Sequence, residues 1–373
     1  MSDKDTGESI FFMKLFRRLL LAQKKVFYSI FAVSIFLLAA EAVLRVLGVG
    51  VLPQELLFDD VYKAAYEMLP GASNPWSPVA ENLNENGFRG RRIEVQKRPG
   101  VIRIICVGDS TTFGLGVDVK ETYSHVLEQS LISRGLNAEV FNAGIPGTNL
   151  WQQLLLFERR LLKYKPDLVI LYSAPNIRPD LFHVRRAIES GRWGFKAKGI
   201  LSRLHIYRAV RRYLRPPRFE DMYSQYSLPK SEASGPAVPA RWIVADAKQD
   251  LARLKKLCDD SGIKLLAAGV LCRDLFVEAK RQGMRSDGGR WPAYFRSSSI
   301  GGDLVLLFPE IGIEPCRLEN AFLDASYEKE IFLDDVHFNA RGHLLMAGVL
   351  EECICAKNLL PWPCPASNQV AAE

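Results

Sequence analysis

The sequence predicts a three-layer α/β fold with a parallel sheet, preceded by one N-terminal transmembrane helix. After residue 100, short apolar runs of strand length alternate with amphipathic segments of helix length, which is typical of parallel βαβ units. Before that point, Val26 to Leu47 is predominantly apolar over about the 20 residues that a helix needs to cross a bilayer. With 48% hydrophobic and 24% charged residues, the 373-residue chain has a globular composition and enough apolar residues for a sizeable core.

The N-terminal apolar segment carries a topology signal. No charged residue interrupts Val26 to Ala40, and Glu41 and Arg45 follow at i,i+4 spacing, where they can pair near the interface. Basic residues precede this run, namely Lys14, Arg17, Arg18, Lys24 and Lys25. By the positive-inside rule, we expect residues 1–25 to be a cytoplasmic basic segment and 26–48 a single-pass helix of the cytoplasmic (inner) membrane. The rest of the chain is then extracytoplasmic.

Two other interpretations of this segment stay open. Ala40-Glu41-Ala42 resembles a small-x-small cleavage site, as in a removed signal peptide. The long basic region and the apolar continuation past Ala42 favour an uncleaved anchor. A buried helix of a soluble domain is disfavoured, because the run is apolar on all faces. Upstream, Ile10 to Leu21 mixes apolar and basic residues, as in a helix that lies on an anionic surface.

The net charge of +7 does not indicate a nucleic-acid partner, because one basic cluster flanks the apolar run. The other, Arg185 to Arg218, could face anionic lipid or an acidic glycan, although a solvated basic face is the simpler interpretation. The seven cysteines include no Cys-x-x-Cys pair and no His/Cys metal spacing, and Cys353-x-Cys355 is only a weak metal hint. We therefore predict no metal site and leave disulfide pairing open.

Residues 49–98 are rich in Pro, Asn, Gly and charge, and we interpret them as a stalk that packs along the domain in places. The α/β domain is predicted over 99–362, followed by a tail at 363–373. Its predicted strands are 101–107, 139–141, 168–172, 265–270 and 304–308, and its predicted helices are 122–133, 150–162, 240–261 and 342–355. Between them, 213–239 has loop composition, and we expect 178–241 to cover the site described next.

Gly108-Asp109-Ser110 directly follows the first predicted strand and opens a helix. That position is the carboxyl edge of a parallel sheet, where open α/β sheets place their sites. N–H groups at a helix start can stabilise an oxyanion there. Taken alone, the tripeptide is equally consistent with ordinary helix capping, because Asp and Ser are both common N-cap residues.

Asp334-Asp-Val-His337 precedes the last predicted helix. A carboxylate three residues before a histidine can hold Nδ1–H and leave Nε2 to face a serine. A surface loop with a capping Asp is the plainer alternative. Of the other histidines, we expect His343 to pack or cap in the final helix and His125 to be structural.

Two more elements lie at the carboxyl ends of predicted strands. Asn142-Ala-Gly-Ile-Pro-Gly147 follows the second strand, and Asn176 follows the third. A glycine N–H and an asparagine amide are suitable oxyanion donors, although Gly147 alone could be a turn and Asn176 alone a cap. Four such elements, each after the appropriate strand, favour one shared site.

The order Gly-Asp-Ser, Asn-x-Gly-x-x-Gly, Asn and Asp-x-x-His resembles the SGNH/GDSL hydrolase superfamily over about 101–360. The resemblance implies a flavodoxin-like sheet and a catalytic triad of Ser110, His337 and Asp334. It also implies an oxyanion hole formed by the Ser110 and Gly147 N–H groups and the Asn176 amide. Asp335 is one residue too close to His337 to match. The N-terminal anchor and the Asn86 to Gly90 segment also resemble bacterial membrane-anchored members.

One departure from the family pattern is Ile177, which stands where the third block usually has Asp; this puts substrate specificity in question. The resemblance implies a serine esterase that removes O-acyl groups, with acetyl favoured, from an extracytoplasmic (periplasmic) glycan or lipid. No metal or organic cofactor is expected, and protein partners are left open. The alternatives are an O-acyltransferase for a cell-surface polysaccharide and a catalytically weak binding or assembly protein.

Overall fold

The computed structural model describes residues 3–47, 57–58, 66–68, 70–71, 73–173, 185–186, 189, 201, 204–214, 240–269, 271–283, 307–313 and 315–362. The chain forms two compact units. One unit comprises residues 1–51 and 196–229, and the other comprises 52–195 and 230–373. The tail predicted at 363–373 lies outside the described residues, as does most of the segment predicted to cover the site.

The larger unit is built on a parallel sheet whose strand order is β4-β3-β5-β6-β7. A separate antiparallel pair joins β1 to β2. The strands are β1 (Leu57–Phe58), β2 (Tyr66–Glu67), β3 (Ile102–Gly108), β4 (Ala138–Gly144), β5 (Leu168–Tyr172), β6 (Lys264–Ala268) and β7 (Pro315–Cys316). This order is the flavodoxin-like one, and it confirms the predicted α/β class.

Both faces of the sheet are buried, which explains why the central strands are continuous apolar runs. In β3, Ile104 and Cys106 belong to a core that also contains Tyr123 and Met346 from two helices. Ile105 is equally buried, and alternation along the strand directs it to the opposite face. The helices therefore cover the sheet on both sides.

The helices are α1 (Asp3–Val46), α2 (Ser110–Phe113), α3 (Tyr123–Ser133), α4 (Leu150–Leu156), α5 (His205–Leu214), α6 (Ala240–Asp260), α7 (Arg273–Arg281), α8 (Glu319–Glu328) and α9 (Ala340–Ala356). The predicted helix at 150–162 is α-helical only as far as Leu156. It continues as a π turn at Phe157–Leu161 and a 3₁₀ turn at Leu162–Tyr164. The helices α7 and α8 were not among the predicted elements.

The strand predicted at 304–308 is wrong where it can be compared, because residues 307–310 are helical. The last strand of the sheet is Pro315–Cys316, which pairs with β6. Proline has no N–H for the ladder, and it is tolerated here because β7 lies at the edge of the sheet.

The helix α1 runs without a break for 44 residues, so the predicted surface segment at 10–21 and the predicted span form one helix. Gln23–Val46 has a mean hydropathy of 2.1 and is long and apolar enough to cross a membrane, a property that an N-terminal signal sequence shares. Large apolar side chains on it are exposed, including Phe36 and Leu38, each at 70%.

The segment predicted as a stalk contributes to the core of the larger unit. Leu83, Phe88, Arg89 and Ile93 are all at most 3% exposed. The Phe88 ring packs edge-on against Phe141 of β4, with ring centroids 4.7 Å apart. These residues lie before the domain boundary that the sequence predicted at 99.

Cys316 and Cys353 form a disulfide that ties the edge strand β7 to α9 across 37 residues of sequence. Since closing a loop of this length restricts the unfolded chain, the double variant Cys316→Ser, Cys353→Ser should lower the free energy of unfolding by about 4 kcal/mol. Urea denaturation of the full chain in detergent measures this loss. The control is Cys272→Ser, which removes a partly buried free thiol. A double variant no less stable than that control would contradict the prediction.

Candidate active site

Ser110 lies where the strand order of the sheet reverses. It begins α2 two residues after β3 ends, and β3 pairs with β4 on one side and β5 on the other. Gly108 of β3 is in register with Gly144 of β4 and with Tyr172 of β5. The chain passes from β3 to β4 on one side and then crosses from β4 to β5 on the other side of β3. At such a point, the carboxyl ends of the strands open a crevice, which lies in front of Ser110.

Two glycines let α2 lie close to the strand ends. A Cβ at Gly108 would come within 2.0 Å of the Tyr172 carbonyl oxygen, and a Cβ at Gly144 within 2.3 Å of the Phe113 nitrogen. Neither position has room for a larger residue, because the nearest atom in each case belongs to the backbone. These contacts fix the height of Ser110 above the sheet.

Asp109 caps α2, as one interpretation of the tripeptide anticipated. Its Oδ1 accepts hydrogen bonds of 2.8 Å from both the N–H and the hydroxyl of Thr111. This capping leaves the Ser110 hydroxyl uninvolved in the helix start. Ser110 is 4% exposed, and its Oγ lies 2.8 Å from Nε2 of His337.

The loop before α9 brings His337 to the serine and Asp334 to the histidine. Asp334 Oδ2 lies 2.7 Å from His337 Nδ1, and Asp334 Oδ1 accepts from the backbone N–H groups of Val336 and His337 at 2.9 and 2.8 Å. A bridge between Phe332 and Phe338 closes the base of the loop. The structure therefore brings Ser110, His337 and Asp334 together in the order that the sequence predicted.

The carboxyl of Asp334 is held in its charged form. Its partial burial raises the pKa, but hydrogen bonds from the His337 side chain and from the N–H groups of His337 and Val336 outweigh this effect. The pKa of Asp334 therefore lies below its ordinary value. A charged carboxylate on Nδ1 favours the tautomer whose Nε2 can accept the Ser110 proton. The contact recorded for the neighbouring Asp335 is made by its backbone, because its carbonyl accepts a hydrogen bond from the Arg273 N–H at 2.8 Å.

Gly147 lies in a tight turn beside the strand ends. Thr148 N–H donates to the Ile145 carbonyl at 3.3 Å, and Gly147 has a φ of 77°. Proline followed by a residue with positive φ is the pattern of a type II turn, which explains the glycine. No described residue accepts the N–H of Ser110 or Gly147. Asn176, the third predicted donor, lies outside the described residues, four positions after the end of β5.

Arg89 supports the backbone that follows Ser110 and was not among the predicted site residues. Arg89 is 1% exposed, and its guanidinium pairs with Glu81 at 2.8 Å. It donates to the Phe113 carbonyl at 3.0 Å, to that of Gly114, and to that of Val117 at 2.5 Å. These carbonyls lie at the end of α2, the helix that begins at Ser110, and in the turn after it. The only sequence feature that could have indicated Arg89 was its position in the Asn86 to Gly90 segment, and this segment does not show which distant residues Arg89 binds.

Asn142 of β4 also supports α2, through hydrogen bonds of its side-chain amide. Its Nδ2 donates to the Thr112 carbonyl at 2.9 Å and to Ser124 Oγ at 3.0 Å, while its Oδ1 accepts from Gly144 N–H at 3.0 Å. This asparagine belongs to a motif in the sequence, but no role was predicted for it.

The histidine His343 has a packing role, as expected. It is 1% exposed, stacks on Tyr123, and meets Phe338 edge-on. Burial, reinforced by the charges of Arg89 and His337, lowers the pKa of His343 to about 3. His343 is therefore neutral at any ordinary pH and is separate from the Ser110 contact. His125 is part of α3, and Thr122 Oγ1 accepts from its N–H at 3.4 Å.

Among the residues that the structure describes, no group of three or more His, Cys, Asp or Glu side chains could hold a metal ion. Cys353 and Cys355, the weak metal hint in the sequence, are both disulfide-bonded. Hydrogen-bonded Ser, His and Asp can perform acyl transfer with these side chains alone.

Comparisons with known proteins give the family. A model of the GDSL-like Lipase/Acylhydrolase family matches residues 106–345. A search of curated proteins finds no match. Among solved structures, the acetyl xylan esterase AlAXEase is 16% identical, with a TM-score of 0.40 over 68% of this chain and 100% of that chain. The lipase/acylhydrolase from Enterococcus faecalis is 14% identical, with a TM-score of 0.39 over 69% of this chain and 96% of that chain.

A mutant of an acetylxylan esterase from Geobacillus stearothermophilus is 14% identical, with a TM-score of 0.39 over 67% of this chain and 93% of that chain. The family match spans more than half of the chain and includes both the Ser110 turn and the His337 loop. This chain belongs to the GDSL-like lipase/acylhydrolase family and is a hydrolase that acts on ester bonds.

Proposed function

We propose that the chain is a serine esterase in which Ser110, His337 and Asp334 form the catalytic triad. The observation that carries this proposal is the continuous pair of hydrogen bonds from Asp334 to His337 and from His337 to Ser110, at 2.7 and 2.8 Å. Both lengths are within the range that proton transfer between these groups requires.

The proposed reaction begins when His337 Nε2 takes the Ser110 proton as Oγ attacks the ester carbonyl carbon. Asp334 stabilises the imidazolium that forms. The carbonyl oxygen becomes an oxyanion, which the N–H groups of Ser110 and Gly147 and the amide of Asn176 would bind. When the C–O bond breaks, His337 gives its proton to the leaving alcohol, and the acyl group stays on Ser110.

In the second half, His337 removes a proton from water as the water oxygen attacks the acyl carbon. The bond to Ser110 Oγ then breaks, the proton returns to the serine, and a carboxylic acid leaves. If a sugar hydroxyl replaces water, the same steps transfer the acyl group. Hydrolysis is the reaction that the family name supports for this chain.

We propose that the substrate carries small O-acyl groups, acetyl above all, on an extracytoplasmic carbohydrate or lipid. Ser110 and His337 are only 4% and 7% exposed, which supports a short acyl group at the serine. Two observations support the location. The Gln23–Val46 segment has basic residues before it, and Cys316 and Cys353 form a disulfide of the kind that persists in oxidising compartments.

The test is hydrolysis of p-nitrophenyl esters of increasing acyl length by the full chain in detergent, together with a serine-directed phosphonate. We expect turnover of the acetyl ester, a decline with longer chains, and a phosphonate adduct on the peptide that contains Ser110. Adding a sugar acceptor distinguishes hydrolysis from transfer, since transfer gives an acylated sugar in place of free acid. A folded protein with neither turnover nor adduct would reject the esterase and favour a binding role.

Arg89 provides a prediction about how the serine is positioned. Arg89→Lys keeps a positive charge near Glu81 but loses the forked set of donors to the α2 carbonyls. We expect kcat to fall about 10- to 100-fold with a smaller change in KM, because small displacements of a nucleophile slow the reaction more than binding. Steady-state kinetics with p-nitrophenyl acetate and the rate of phosphonate labelling measure this effect.

The matched control for Arg89 is Arg91→Lys, two residues along the chain. Arg91 pairs with Glu128 at 2.7 Å, but its side chain is 45% exposed and makes no described contact with α2. Equal kinetics in the two variants would show that Arg89 does not position Ser110. A fall in thermal stability without a fall in kcat would assign Arg89 to folding alone.

A further inference from the structure

A second helix lies against α1 in the smaller unit, and a carboxylate from the apolar span holds its N-terminus. The backbone N–H groups of His205 and Ile206 donate to Oε1 and Oε2 of Glu41 at 2.9 and 3.0 Å. Arg45 Nε donates to the same carboxylate at 2.8 Å, and Glu41 is 8% exposed. Because the first N–H groups of a helix lack acceptors within it, Glu41 acts as the cap of α5.

The helix α5 is amphipathic, and most of its apolar side is uncovered. Ile206, Val210, Tyr213 and Leu214 have i, i+4, i+7 and i+8 spacing, which places them on one face. Ile206 is half-buried, whereas Val210, Tyr213 and Leu214 are 52%, 88% and 70% exposed. The positions on the other side of the helical wheel are occupied in the sequence by Arg208, Arg211 and Arg212.

The place where α5 is attached indicates what covers that apolar side. Glu41 lies five residues before the end of the Gln23–Val46 span, which is about 7.5 Å along a helix axis. If α1 crosses a bilayer, the N-terminus of α5 is held at the depth where acyl chains give way to headgroups. A helix with arginines on one side and Val, Tyr and Leu on the other suits that boundary.

We propose that α5 is an interfacial helix that inserts Val210, Tyr213 and Leu214 into the lipid boundary at the carboxyl end of the α1 span, with Glu41 as its anchor. The proposal requires that α1 be retained in the membrane and is independent of the esterase chemistry. The Glu41 contacts favour retention, because cleavage after Ala42 would remove the cap from a helix that stays in the mature chain.

The test uses the full chain in vesicles of phosphatidylcholine and phosphatidylglycerol, with a benzophenone amino acid in place of Tyr213. The matched control carries the same group in place of Arg212, the adjacent position on the other side of the helix. After irradiation, mass spectrometry should find lipid adducts at position 213 at least about fivefold above those at 212. Equal yields, or adducts at 213 mainly to this chain or to a second copy, would overturn the proposal.

A second variant tests the anchor. Glu41→Leu removes both N–H acceptors and makes the span more apolar, so that α1 remains in the membrane. We expect lipid adducts at 213 to fall to the level seen at 212. An unchanged yield would show that Glu41 does not hold α5, and an intact mass that lacks α1 in the wild-type chain would overturn the proposal. Esterase turnover is not part of this readout, so its failure would leave the result unaffected.

Discussion

Replacing Ser110 with alanine is expected to lower kcat for p-nitrophenyl acetate by at least about 10⁴-fold, with the fold intact. The proposed acyl-enzyme forms on the Oγ that this change removes, and the two hydroxyls that follow it in α2 are already hydrogen-bonded elsewhere. The hydroxyl of Thr111 is bound to Asp109, and that of Thr112 donates to the Tyr172 carbonyl at 2.6 Å. Residual rate should come only from substrate binding and the oxyanion donors.

The matched control is Ser326→Ala, because Ser326 is also buried, at 8% exposure, and its hydroxyl bonds only within α8, to the Leu323 carbonyl. Its kcat should stay within about twofold of wild type, since it lies outside the proposed triad. Thermal unfolding of both variants checks that activity and folding are separated. If Ser110→Ala kept a tenth of the activity or more, the covalent route through this serine would be wrong.

The parts of the fold that the sequence predicted best are those whose signal is local. The strand β5 begins and ends where predicted, because a strand buried on both faces must be an unbroken apolar run. The turn at Gly108 and the loop at Asp334 were also predictable from the sequence, since the polar side chains of each lie within three residues of one another. Their meeting across 227 residues depended on the order of the strands, which the family resemblance supplied.

The features that could not be predicted from the sequence are those that depend on partners distant in the chain. Arg89 supports α2 by donating to backbone carbonyls 24 to 28 residues further along the chain. Because every residue has a backbone carbonyl, the sequence does not indicate which carbonyls Arg89 will bind. The strand β7 has only two residues, one of them proline, and owes its pairing to β6. The pairing of Cys316 with Cys353 likewise follows from the packing of β7 against α9, which no spacing rule gives.

The neighbouring residues Asp334 and Asp335 allow a sharp test of the triad. Asp334→Asn should lower kcat by about 10³- to 10⁴-fold, whereas Asp335→Asn should change it by less than about threefold. Both side chains are exposed loop carboxylates that become neutral amides of nearly the same size. Only Asp334 contacts His337, so the two variants differ in that contact and match in charge, size and place in the chain.

The large effect follows from the imidazole tautomer. An amide N–H at position 334 would donate to His337 Nδ1, which then places the ring proton on Nε2 and leaves no lone pair to accept the Ser110 proton. KM should change little, because Asp334 bonds the Nδ1 side of the ring, whereas Ser110 lies at Nε2. Stopped-flow acylation by p-nitrophenyl acetate measures the step directly. Equal loss in both variants would mean that the loop as a whole matters, and loss in Asp335→Asn alone would assign the third member of the triad to Asp335.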